Sequence, residues 1–132
     1  MHAPLVRFRI DFADHANVGP GKIALLEAIR SSGSLSQAAR DLRMSYRRAW
    51  LLMSSLNEAF NKPVTRTSAG GRGGGGAELT PFGEQLIESY RALDREICSL
   101  AARRLTAILP AVTRRASPRP VAPRRSLVPG RN

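Results

Sequence analysis

Apolar and polar positions follow a period of two at the start of the chain and helical spacing afterwards. From Leu5 to Phe12 they alternate, with Val6, Phe8, Ile10 and Phe12 on one side and Arg7, Arg9 and Asp11 on the other. That is the pattern of a half-buried strand. Gly19-Pro20-Gly21 breaks it. A helix is then expected from about Lys22 to Ser32, because Ile23, Leu26, Ile29 and Arg30 fall at helical spacing, with Leu25 filling beside Ile29. Gly33 suits the left-handed residue that closes such a helix.

A second helix is predicted from Ser34. Ser34-Leu-Ser-Gln37 has the form of a capping box, in which a hydroxyl and a glutamine satisfy orphan amides reciprocally. Ala38 and Ala39 are small enough to admit another helix closely, and Leu42 and Met44 bracket a turn. Ser45 then caps a third helix that runs to about Phe60 and is stopped by Pro63. Tyr46, Ala49, Met53, Leu56 and Phe60 are expected to share its core face. Arg47, Arg48, Leu51, Ser54 and Ser55 fall on the rest of its surface. Trp50 is expected at the core margin beside Tyr46, with its edge near enough to touch nucleic acid.

Two short helices joined by a tight turn, the second opening on cations, form a helix-turn-helix. Arg43 stands where many such turns carry glycine, so positive φ there implies modest strain.

Pro63 to Thr67 is rich in β-branched residues, and Ala77-Glu-Leu79 can return against it. Between them lies Ser68-Ala-Gly-Gly-Arg-Gly-Gly-Gly-Gly76. The loop fits G-x-G-x-x-G only as any glycine run does. It lacks the helix that must open at a dinucleotide loop, and the Gly-Lys-Ser/Thr of a Walker loop. It reads instead as a wing. Thr80-Pro81 is a helix start. The last helix is expected to reach about Leu105, with Leu86, Tyr90, Leu93, Ile97 and Leu100 in a heptad-like stripe. That stripe fits a two-fold dimer seam, while Phe82, Leu86 and Ile87 also suit packing within the domain. The fold class is therefore mostly α: a winged helix-turn-helix with an N-terminal strand, a β-hairpin wing and a long C-terminal dimerisation helix.

Charge changes the picture at the end of the chain. The 132 residues carry a formal net charge of +11. All ten acids and fifteen of the 21 basic residues precede residue 106, and six arginines without an acid follow. Only Lys22 and Lys62 are lysines, a bias that genomic base composition explains as readily as function does. The Pro- and Arg-rich stretch, residues 106–132, buries too little apolar surface to offset chain entropy and is expected to be a disordered tail beyond a domain over residues 1–105. The basic excess favours polyanions.

Candidate chemistry is sparse. Cys98 is the sole cysteine, and His2 and His15 have no metal-ligand spacing with it, so no metal or cofactor is expected. Asp11 and Asp14 form no acid/base pair, and no nucleophile is set beside a base, so an enzyme is not expected. No apolar run is long enough for a secretion signal or a membrane span, which leaves a cytoplasmic location and no membrane partner as the default.

Gly-Lys-Ile-Ala-Leu-Leu-Glu-Ala-Ile29, Gly-Ser-Leu-Ser-Gln-Ala-Ala39, Ser-Tyr-Arg-Arg-Ala-Trp50 and the Gly-Gly-Arg-Gly-Gly-Gly-Gly-Ala-Glu-Leu-Thr80 segment resemble the N-terminal domain of ModE-type molybdate-responsive regulators, a LysR-like winged helix. The resemblance covers about Leu5 to Leu105. It implies a regulator of transcription that binds double-stranded DNA and dimerises through its first and last helices. It places Ser45, Tyr46, Arg47 and Arg48 at the groove and Arg72 in the wing. Family members that sense molybdate use a further C-terminal domain, which this sequence does not show, so direct molybdate binding is not expected.

Residues and resemblance together nominate a homodimeric, sequence-specific regulator. Arg47 or Arg48 takes a guanine and the other a phosphate. Ser34, Ser36, Gln37 and the wing residues Arg66 and Arg72 hold the DNA backbone, Ser54 is a further DNA-binding residue, and Tyr90, Leu93, Ile97 and Leu100 form the dimer seam. The alternative is an architectural protein that binds nucleic acid through charge alone.

Overall fold

The computed structural model describes residues 4–68 and 76–113. In chain order the elements are β1 (Ile10–Ala13), β2 (Ala16–Val18), α1 (Pro20–Ser32), α2 (Leu35–Asp41), α3 (Tyr46–Ala59), β3 (Thr65–Ser68), β4 (Gly76–Leu79) and α4 (Pro81–Arg104), followed by a 3-10 turn at Leu109–Ala111. The architecture is the winged helix-turn-helix expected.

The N-terminal strand differs from expectation. It is half of a hairpin, with β1 antiparallel to β2 and a register shift between Asp11 and Ala13. Such an irregularity turns a strand locally. Phe12, expected inward with Phe8 and Ile10, is consequently 53% exposed and meets Phe60 edge-on. His15 makes the tight turn at φ 63, in the left-handed region that histidine tolerates better than most side chains.

α1 is the central element. Pro20 occupies its first turn, where a missing N–H costs nothing. Gly33 ends it at φ 73 and donates its N–H to Ile29 O at 2.8 Å. The helix is apolar on two sides, so it serves two cores. Ile23 and Leu26 pack with Val18, Leu56, Val64, Ile87 and Tyr90. Leu25 and Ile29 pack with Leu35, Ala38, Ala39, Ala49 and Ala77. The alanines let α2 and α3 lie close to α1, which is what the helix-turn-helix angle requires.

Capping follows the sequence with one change. Ser34 Oγ accepts from Gln37 N–H at 3.1 Å, Ser45 Oγ from Arg48 N–H at 3.0 Å and Thr80 Oγ1 from Gly83 N–H at 3.0 Å. The reciprocal half of the capping box does not form. Gln37 Nε2 donates to Asp41 at 2.8 Å, and Ser34 N–H goes to Ser32 Oγ at 3.3 Å. The start of α4 lies hard against the chain leaving α3, because a β-carbon on Gly83 would run into Val64 O.

Candidate nucleic-acid interface

α3 is held from behind and free in front. Ala49 and Leu56 are buried, and Leu52 and Met53 pack around them. Tyr46 does not join that core face as expected; it is 56% exposed, and Trp50, one turn on, is 47% exposed. In the first turn of α3 it is Ala49 that meets α1, and Tyr46 faces outward. Arg47 and Arg48 are exposed, and among the described residues neither guanidinium has a protein partner. At helical spacing Arg47, Leu51 and Ser54 share a face, with Trp50 at its edge. Leu51 is 49% exposed, whereas Ser54 is half-buried. Glu58 ends this face in an exposed acid, so its DNA-compatible part is the first three turns or fewer.

Two clamps set the pose of α3, and neither was singled out from the sequence. Lys22 Nζ donates to Asn17 O at 3.0 Å, Asn17 Oδ1 at 3.1 Å and Ser55 Oγ at 3.1 Å, tying β2 and α1 to the middle of α3. Burial, and then the charge of Arg9, push its pKa below the usual lysine value. At the other end Asn57 Oδ1 accepts from Val64 N–H at 2.7 Å and Thr65 N–H at 3.1 Å, while Nδ2 donates to Thr65 Oγ1 at 3.0 Å. Asn57 thereby turns the chain from α3 into β3. A polar residue in the last turn of a helix, ahead of a proline, was the available signal.

The wing ladder pairs Thr65 with Leu79, Arg66 with Glu78, Thr67 with Ala77 and Ser68 with Gly76. It is stitched to the helix-turn-helix: Ala77 N–H donates to Gly33 O at 3.0 Å, and Ser34 bridges to Gly76. The wing thus emerges beside the N-terminus of α2. Arg66 is exposed but engaged, its Nε 2.8 Å from Glu78 Oε2 across the ladder. Its Nη1 and Nη2 donors have no partner among the described residues, so a phosphate there would share the guanidinium with Glu78. Arg72 and the glycine run around it lie outside the described residues.

On α2 the nominated side chains divide. Ser34 Oγ is occupied by its cap, and Gln37 is tied to Asp41 and Arg40. Ser36 is exposed with no side-chain partner among the described residues.

Residues 21–84 match the family described as bacterial regulatory helix-turn-helix protein, lysR family. The chain is 42% identical over 85 residues to the molybdenum-pterin-binding protein MopB of Rhodobacter capsulatus, covering 64% of this chain and 32% of that one. It is 38% identical over 99 residues to the molybdenum transport protein ModE of Azotobacter vinelandii, covering 75% and 37%. It is 42% identical over 74 residues to the DNA-binding transcriptional dual regulator ModE of Escherichia coli K12, covering 56% and 28%. The chain is similar to the ModE proteins, and its match to the lysR helix-turn-helix family lies over residues 21–84. It spans about a third of the length of these curated relatives.

Behind the LysR-type domain, α4 divides along its length. Tyr90, assigned to the dimer stripe by heptad spacing, is a core residue instead. It is 3% exposed, stacks on Phe8 with ring centroids 4.6 Å apart and donates its hydroxyl to Phe8 O at 2.7 Å. The N-terminal segment, not a second chain, covers it. Phe82, Leu86 and Ile87 pack within the domain as well. Leu93 and Leu100 are 37% and 44% exposed, and Ile97 is half-buried. Arg91 binds α4 to α1, its Nη2 and Nε lying 2.7 and 2.8 Å from the Glu27 carboxylate. The Arg91 hydrogen bonds hold the Glu27 carboxyl below its usual pKa. Among the described residues no helix is long and apolar enough to cross a membrane, and no group of three His, Cys, Asp or Glu residues is placed to hold a metal ion.

Proposed function

We propose that this chain regulates transcription by binding specific double-stranded DNA sites, with α3 in the major groove and the wing beside it. One observation carries the reading: Arg47 and Arg48 stand unpaired among the described residues on the first turn of a helix whose back is fixed in the core. Such a helix presents guanidinium forks to base edges without breaking anything to do so. Arg47 shares the face of Leu51 and Ser54, which makes it the base reader. Arg48, at the flank, takes a phosphate. Tyr46, Trp50 and Leu51 supply apolar contact in the groove, and Ser36 and the wing fix register on the backbone. The regulator names of the E. coli and other relatives support the same reading.

The proposed assembly is a homodimer. Leu93, Ile97 and Leu100 continue the α4 stripe past the point where the domain's own core ends, and paired half-sites match a two-fold protein.

Selecting bound duplexes from a random pool at physiological salt tests this. A palindromic winner bound about a thousandfold or more above random duplex is the expected result. Equal binding to every sequence with one steep salt slope points to the charge-driven alternative and overturns the proposal. Trp50, the sole tryptophan, is a built-in fluorescence reporter of occupancy.

A further inference from the structure

The turn between α2 and α3 carries an uncommon combination. Arg43 sits at φ 58, in the left-handed region. There the side chain of an L-residue crowds its own backbone, and only glycine is free of the penalty. The geometry is well fixed: Arg43 N–H donates to Arg40 O at 3.0 Å and Met44 N–H to Ala39 O at 2.9 Å. Leu42 and Met44 on either side tuck into the core beneath. Arg43 therefore gives nothing to packing. Its side chain is exposed, and its guanidinium has no partner among the described residues. Glycine would make the same turn without strain. Strain of this kind clusters at functional sites.

The surroundings say for what. From residue 40 to residue 48 the chain carries Arg40, Arg43, Arg47 and Arg48 against the single acid Asp41. Asp41 accepts from Gln37 Nε2 at 2.8 Å, so it does not answer Arg43. Arg43 stands two residues before the Ser45 cap, at the mouth of the helix proposed to enter the groove. With α3 in the groove as proposed, a cation there would lie nearer the flanking sugar-phosphate strand than the bases.

Building on the DNA-binding reading above, we propose that Arg43 is a phosphate-binding residue of the helix-turn-helix, kept at a glycine-favouring position for its charge. The Arg fork gives a phosphate two donors. It contributes affinity and register without base preference.

Three variants separate charge from strain: Arg43→Gly removes both, Arg43→Asn removes charge where left-handed geometry is tolerated, and Arg43→Lys keeps charge. Affinity is measured on a selected duplex and on a random duplex of equal length, from 50 to 200 mM salt, together with Tm. Arg43→Gly and Arg43→Asn are expected to weaken both duplexes by the same factor. Losing one phosphate contact should shrink the affinity change across that salt range by about 3.5-fold. Arg43→Lys should keep the wild-type salt slope. Arg43→Gly should raise Tm by about 4 °C as strain is relieved. An unchanged slope in the glycine and asparagine variants overturns the inference, as does a loss confined to the selected duplex, or a Tm that falls. If wild-type protein selects no sequence at all, the regulator reading fails, while the slope comparison still decides Arg43. If selection succeeds and the slope is unmoved, Arg43 alone is misassigned.

Discussion

Replacing Asn57 with alanine is expected to cost more than any surface-polar substitution should. Asn57 is only half-buried, but the groups it serves are not: Val64 is 0% and Thr65 5% exposed. Its Oδ1 is the acceptor for both their backbone N–H groups, at 2.7 and 3.1 Å. Alanine removes the acceptor and leaves two amides where water has little access. A buried donor stripped of its partner costs about 1–3 kcal/mol, so two give roughly 2–5 kcal/mol once some relaxation is allowed. Against a total stability of about 5–15 kcal/mol, that is a large fraction. Asn57→Asp keeps both acceptor contacts and lets the Thr65 hydroxyl switch from acceptor to donor, so it should stay within about 1 kcal/mol of wild type. Urea unfolding followed by circular dichroism, at one fixed protein concentration, measures both. An Asn57→Ala midpoint within about 0.5 kcal/mol of wild type, at unchanged m-value, would refute the claim that this side chain holds the α3–β3 corner.

Arg47→Ala should relax base preference at one operator position, costing about 1–3 kcal/mol there; equal losses on specific and random duplex would remove Arg47 from the groove. Gly83→Ala should destabilise by about 1–3 kcal/mol in thermal melts, because its methyl meets Val64 O where α4 abuts the corner; a neutral result would mean that the corner yields. The Glu27–Arg91 pair predicts an acid limb. The folded-state pKa of Glu27 is depressed, so its stabilisation is full above the unfolded value of 4.5 and is lost as pH falls through the folded value. The pair is partly exposed, at 39% for Arg91 and 29% for Glu27, so screening limits it to about 0.5–1 kcal/mol. Glu27→Gln should flatten stability between pH 5 and pH 3 relative to wild type, and an unchanged slope there would count against the pair.

Helices were the most legible part of this chain, because their signals are local. Ser34, Ser45 and Thr80 cap where hydroxyls precede helical spacing, and Gly33 closes α1 in the conformation that glycine favours. The β1–β2 hairpin was not legible, since its turn uses His15 and no glycine or asparagine pair, and a register shift reversed the side expected of Phe12. Tyr90 shows a second limit: heptad spacing marks an apolar stripe without saying which surface covers it, and here Phe8 does so from far along the sequence. The arginines at the head of α3 were legible as candidates from their place after a cap. Their freedom from ion pairs was not, because the sequence leaves Asp41, Glu58 and Glu78 all open as partners, and only the folded arrangement assigns Asp41 to Gln37 and Glu78 to Arg66.

The hydrogen bond from Ala77 to Gly33 has a consequence for how affinity is shared between the two DNA-facing parts. The hairpin and the helix pair are spliced through Gly33–Ala77 and Ser34–Gly76, so on the proposed reading they would meet a duplex as a single preset jaw. Orientation is settled during folding, which spares the complex part of the entropy loss of docking them separately. On the proposed DNA-binding reading, substitutions near Gly33 should accordingly change which sequences are tolerated by tilting the jaw, from a position that is not itself among the proposed base-reading residues.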